Sequence, residues 1–388
     1  MTDSAVSLDG VRVRNLARML QLVHRDGPLS RASLTEATGL NRSTIADLVA
    51  ELEGLRLVEQ REPDRRGRVG RPSPLVAASG DTVAIAANPE IDALEISAVG
   101  LDRSLRLRER IVVSDVPTPD EVAALVARRI SSWREDELVG CRVVGVGVAV
   151  PGLVRASDGL VRDAPHLRWR DVPLRDLVSD ATGLPAVVGN DASLGTLAEH
   201  FYGAAAGIDD VVYLNGGASG IGGGLIIDGH HVGGAGGYAG EFGQNRPGIA
   251  AAADRRAGDG VLEDEVSRAR LVAAVGRGDL DDRSLARAIA TAGTPDILAE
   301  VDRQRRILST ALANAVNVLN PAIIVLGGFL ATLADHDLAE FEQAVRSQSM
   351  SANAEALVIR PAALAADRLL IGAAELAFDA LLSDPTRL

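Results

Sequence analysis

Lysine is absent from the 388-residue chain: all 40 cationic side chains are arginine, set against 53 carboxylates for a net charge of −13. So acidic a chain does not suit bulk packing of nucleic acid, and the placement of its charge matters more than the sum. Residues 1–80 hold 12 arginines against 10 acids, whereas the remainder holds 28 against 43. A mildly basic head on an acidic body permits a small DNA reader whose positive charge is local. Cys141 is the only cysteine, which excludes an intramolecular disulfide and any multi-cysteine metal site. No run of about twenty uncharged apolar residues occurs, and the opening MTDSAVSLDG lacks a basic start followed by an apolar stretch. No membrane segment or cofactor is expected, and the chain reads as cytoplasmic. Its length and 47% hydrophobic content suffice for two or three cored domains.

Within residues 1–80, Val13, Leu16, Leu20 and Val23 recur at helical spacing until Arg25–Pro28 stops the pattern. Ser30 can cap a short second helix, Gly39 can make a tight turn, and Asn41 can cap a third helix. In that third helix Ile45, Leu48, Val49 and Leu52 form the inward stripe, leaving Arg42, Ser43 and Thr44 outside in the first turn. A recognition helix presents such donors to base edges and phosphates. Strand-like LRLVEQ and SPLVAAS flank REPDRRGRVGRP, so a β-hairpin with Arg65, Arg66, Arg68 and Arg71 at its tip is expected. Guanidinium groups on such a tip can follow phosphates or enter a narrow minor groove. The order is that of a winged helix-turn-helix, with operator DNA as partner.

Beyond Thr82, apolar strands alternate with helices, as in an α/β body. The segment YLNGGASGIGGGLIIDG, Tyr213–Gly229, could be a phosphate-cradling glycine loop or a structural hairpin. Several short motifs then follow one another: VPGLV at 150–154, NDA at 190–192, GASGIGGGLIIDG, GYAGEFG at 237–243, GVLE at 260–263 and LNPAIIVLGG at 319–328. Together they resemble the ROK family of repressors, open reading frames and kinases, over nearly the whole chain. The resemblance implies a two-lobed, actin-like sugar kinase body over 81–388, with sugar held between the lobes. It also implies that DRLLIGAAELAF forms a helix returning to the first lobe.

Two departures from the family pattern shape the expected function. Family kinases open the first lobe with an Asp-x-Gly-Gly-Thr turn around ATP, but the equivalent stretch here is NPEID, Asn88–Asp92. Pro89 and Ile91 block close backbone approach, and Glu90 brings a carboxylate to where phosphate would lie. The family's zinc set of one histidine and three cysteines is replaced by Gln244, Asp254, Arg256 and Val261. No metal site is expected, and the loop would be ordered instead by Asp254 and Asp259 pairing with Arg255 or Arg256.

The resemblance carries sugar contacts onto Asn190, Asp191, Glu241 and Glu263, with Gln244 in place of the bridging histidine and His166 where asparagine is usual. Asp191 matches the catalytic base, left without a phosphate to transfer to. His230 and His231 read as exposed turn residues. The expected protein is a sugar-responsive DNA-binding regulator, a repressor and homodimer without enzyme activity. The rivals are a sugar kinase with a DNA-binding head and a regulator that no longer binds sugar.

Overall fold

In the first helix, α1 (Leu8–Asp26), Leu16, Met19, Leu20 and Val23 are buried along one face. The helix begins five residues before the expected apolar stripe. These features come from a computed structural model that describes residues 8–62, 74–217, 220–257, 260–276, 280–292 and 294–387. After a two-residue strand, β1 (Leu29–Ser30), α2 (Arg31–Thr38) starts with Ser30 Oγ accepting from Ser33 N at 3.0 Å. It ends at Gly39, whose φ of 72° lies in the left-handed region open to glycine. Asn41 Oδ1 accepts from Thr44 N at 2.9 Å to start α3 (Arg42–Gly54), which buries Ile45, Leu48, Val49 and Leu52. Strands β2 (Val58–Arg61) and β3 (Leu75–Ala78) pair antiparallel, and β1 adds to β3 in the register Leu29↔Val76. The expected wing tip, with Arg65, Arg66, Arg68 and Arg71, lies outside the described residues.

The chain divides into two compact units, the first comprising residues 1–150, 158–189 and 373–388. Its body is a mixed sheet built on β4 (Thr82–Pro89), buried at every position as a central strand should be. Antiparallel β5 (Ala93–Gly100) and β6 (Leu105–Val112) extend it on one side. Parallel β7 (Arg142–Val150) lies on the other, preceded by α4 (Pro119–Glu135) with a Thr118–Glu121 capping box. Past the short β8 (Leu153–Val154), strands β9 (Val161–Ala164) and β10 (Trp169–Val172) form a hairpin. Helix α5 (Leu174–Thr182) then leads to β11 (Ala186–Asn190), which adds to β7 and completes the five-stranded order β11-β7-β4-β5-β6.

The second unit, residues 151–157 and 190–372, starts its main run with α6 (Asp191–Tyr202). Strands β12 (Val211–Gly216), β13 (Ile221–Ile227) and β14 (His230–His231) form an antiparallel meander. Four helices follow: α7 (Leu262–Glu265), α8 (Arg268–Val275), α9 (Asp282–Ala292) and α10 (Pro295–Leu319). Next come β15 (Ile323–Gly328), α11 (Phe329–Asp335), α12 (Leu338–Ser347), α13 (Ser351–Ala354) and β16 (Val358–Pro361). The sheet order is β14-β13-β12-β15-β16, with β12, β15 and β16 parallel. Leu308, Leu312 and Val316 of α10 share one apolar core with Ile324 and Leu326 of β15. The last helix, α14 (Arg368–Ser383), matches the helix expected at DRLLIGAAELAF, and the division between the units falls within it, after Gly372.

Candidate functional site

The glycine-crowded segment forms a β-hairpin. Gly217 N donates to Gly220 O at 2.9 Å, and Ala218 and Ser219 lie outside the described residues. A Cβ on Gly222 would stand 2.7 Å from Ala192 Cβ, and one on Gly224 would stand 2.2 Å from Thr196 Oγ1. The two glycines, two apart on β13, meet residues four apart on α6, so helix and strand approach at backbone distance. That packing alone accounts for these two glycines, and it fixes Asp191 at the helix start.

The stretch Asn88–Asp92 closes the β4–β5 hairpin, with Glu90 N donating to Ala93 O at 2.7 Å. Arg110 of β6 spans the turn, reaching Glu90 Oε2 at 3.1 Å and Asp92 Oδ1 at 2.9 Å. The strand order therefore fills this position with two carboxylates and their counter-ion, all on side chains that keep some solvent contact.

In the second unit the candidate residues come together. Asn190 caps α6, accepting from Ser193 N at 2.9 Å while its amide donates to Gly152 O at 2.9 Å. Asp191 Oδ1 accepts from Ala192 N at 2.8 Å. Burial among protein atoms pushes the Asp191 carboxyl up to about 6, against the Ala192 hydrogen bond and the Arg368 charge, which hold it down. Glu241 is raised as well, first by burial and then by the neighbouring charges of Asp191 and Glu263. Glu263 Oε2 accepts from Ile221 N at 3.1 Å, and its Oε1 accepts from Gln244 Nε2 at 2.6 Å. Glu241, with Asp191 and Glu263 both within its electrostatic reach, makes a set of carboxylates that suits a neutral ligand rich in hydroxyl groups, since each can accept from adjacent O–H donors. His166 lies in the first unit, exposed on the turn Pro165–Leu167. His230 and His231 are exposed as expected, but they form strand β14 rather than the turn, which falls on Asp228 and Gly229.

The loop ahead of α7 differs from its expected form. Asp254 accepts from Arg306 of α10 at 2.9 and 3.1 Å instead of pairing with Arg255 or Arg256. Those two arginines donate to Ile249 O and Ala253 O, and Asp259 lies outside the described residues. Arg303, 2% exposed, donates to Asp254 O, Glu265 Oε2 and the Glu265 carbonyl. Glu265 also accepts from Arg256 N and Ala257 N at 3.0 Å. An arginine–carboxylate knot thus holds α7, whose Glu263 faces the cluster. Gln244, Asp254, Arg256 and Val261 do not fit zinc: the amide and carboxylate are engaged by Glu263 and Arg306, and valine ligates nothing.

Arg368 and Arg303 escaped sequence reasoning. Arg368 carries one usable signal: a cation in the first turn of a helix opposes the helix dipole and therefore calls for a carboxylate neighbour. In the head, Arg42 and Ser43 are exposed and Thr44 partly so, all in the first turn of α3.

Two mixed five-stranded α/β units, each with helices against its sheet, define the class of the sugar kinase-like, actin-like proteins. Residues 92–380 match the ROK family, and the chain belongs to it. It is 27% identical over 258 residues to the xylose repressor of Caldicellulosiruptor bescii, covering 63% of this chain and 64% of that one. It is 29% identical over 292 residues to the glucokinase of Halalkalibacterium halodurans, covering 66% and 85%. The chain therefore spans less than two thirds of the repressor's length. A ROK family transcriptional regulator, a homologue of the E. coli MLC protein, superposes with a TM-score of 0.77 at 23% identity over 96% of this chain and 97% of that one. Among the described residues no helix is long and apolar enough to cross a membrane.

Proposed function

We propose that the protein is a sugar-responsive transcriptional repressor: residues 1–80 bind operator DNA, and residues 81–388 sense a sugar without phosphorylating it. The reading is carried by the Asn88–Asp92 turn, where Arg110 ties down Glu90 and Asp92 and leaves no glycine for a triphosphate. Asn190, Asp191, Glu241, Gln244 and Glu263 are the proposed sugar contacts, with His166 as a further contact. Arg42, Ser43, Thr44, Arg65, Arg66, Arg68 and Arg71 are the proposed DNA contacts. The relatives named as xylose repressors support this assignment. A homodimer follows from the usual match between two-fold proteins and palindromic half-sites.

The glucokinase relatives support one rival, a kinase that keeps a DNA-binding head. Mixing the protein with ATP, Mg²⁺ and a panel of aldoses separates the two. The repressor reading expects no sugar-dependent ADP release. Turnover that disappears in Asp191→Asn would establish the kinase.

A further inference from the structure

His24, on the buried face of α1, is 1% exposed and bonded on both ring nitrogens. Nδ1 lies 2.6 Å from Leu101 O, and Nε2 lies 3.0 Å from each carboxylate oxygen of Glu375. A carbonyl only accepts, so Nδ1 carries a proton, and Nε2 faces the Glu375 carboxyl group. The Phe378 ring stands edge-on to the imidazole at 5.7 Å. Gln21 adds a hydrogen bond to Leu382 O at 3.0 Å. Glu375, Phe378 and Leu382 all belong to α14, so the first helix of the head is fastened along the last helix of the chain.

The opposite end of α14 meets the carboxylate cluster. Arg368 opens the helix within electrostatic reach of Asp191. A Cβ on Gly372 would stand 2.2 Å from Leu194 O, so α14 and α6 touch backbone to backbone one turn beyond Asp191. An eight-residue stretch of one helix, Arg368 to Glu375, therefore runs from the neighbour of the candidate ligand site to the residue that grips the head. The helix is continuous over this stretch, and rigid secondary elements are among the structures that carry coupling between sites.

We infer that α14 carries the ligand state of the Asp191 cluster to the head, and that the His24–Glu375 pair is the joint at which α1 reads it. The inference rests on the proposed sugar-responsive repressor. His24 and Glu375 are positioning residues, touching neither ligand nor DNA. Coupling is reciprocal, so operator DNA must change sugar affinity by the factor by which sugar changes operator affinity, typically about 5- to 150-fold.

The test measures D-xylose and D-glucose affinity of the full chain, with and without operator DNA, by calorimetry. The parent is expected to give two different affinities. In Glu375→Ala they should converge on the parent's DNA-free value, and Glu375→Gln, whose amide can still hydrogen-bond the ring, should restore part of the gap. A merely structural role would lower stability without closing it. If Glu375→Ala does not fold, His24→Gln reads the same joint from the other side. Variants that keep the parental ratio would overturn the inference alone, whereas a parent whose affinities are equal for both sugars would remove the repressor reading beneath it.

Discussion

Asp191 sits at the start of α6, where the helix dipole and the Ala192 N–H favour its charge, yet burial outweighs both and raises the carboxyl to about 6. A carboxyl raised on folding contributes stability that is present below its unfolded value and lost as pH rises through the folded one. Asp191→Asn should therefore make the ligand-free protein more stable than the parent at pH 7.5, by about 1–3 kcal/mol. The gap should shrink as pH falls from 7 towards 4, and thermal melts across that range check it. A gap independent of pH would show that the carboxylate is not held under strain. Arg42→Ala should weaken operator binding and lower the salt slope by about one unit if it contacts a phosphate, as read by anisotropy at several salt concentrations. Asn190, Asp191, Glu241 and Glu263 could be proposed from the sequence because each sits in a short ordered motif. His24 and Glu375 were not, because 351 residues separate them and neither lies in a motif.

Elements show the same divide between local and distant causes. The caps at Ser30 and Asn41 and the turn at Gly39 could be read in advance because each acts over three or four residues. Strand β1 could not, since two residues become a strand only through their partner β3. Gly222 and Gly224 look like phosphate-loop residues until α6 is seen against them. Gly224→Ala should cost about 1–3 kcal/mol through the clash with Thr196, without altering the head's melting behaviour. The loop before α7 needed distant information as well, since its partners Arg303 and Arg306 come from α10. Arg303→Met would strand Glu265 as a buried unpaired charge and should destabilise the protein by about 3–5 kcal/mol in denaturant titrations. Chelators should leave the parent's unfolding curve unchanged, and a loss of stability on chelation would mean that a metal holds this loop after all.

At the scale of the whole molecule, the proposed repressor requires its head and its body to share one equilibrium, because a ligand shifts only states that it binds differentially. The order of motifs made the two-lobed ROK body legible, while the fastening of the head to α14 emerged only from the three-dimensional contacts. The most direct test is an anisotropy titration of the protein's own upstream DNA, with and without D-xylose or D-glucose, for the parent, Asp191→Asn and Glu241→Gln. Sugar should weaken the parent's DNA binding. The two variants should bind DNA as the parent does without sugar, yet need roughly 10- to 150-fold more sugar to release it, for a lost charge-assisted hydrogen bond of about 1.5–3 kcal/mol. Release of both variants at the parent's sugar midpoint would contradict the account, because the carboxylate cluster would then not be the sensor.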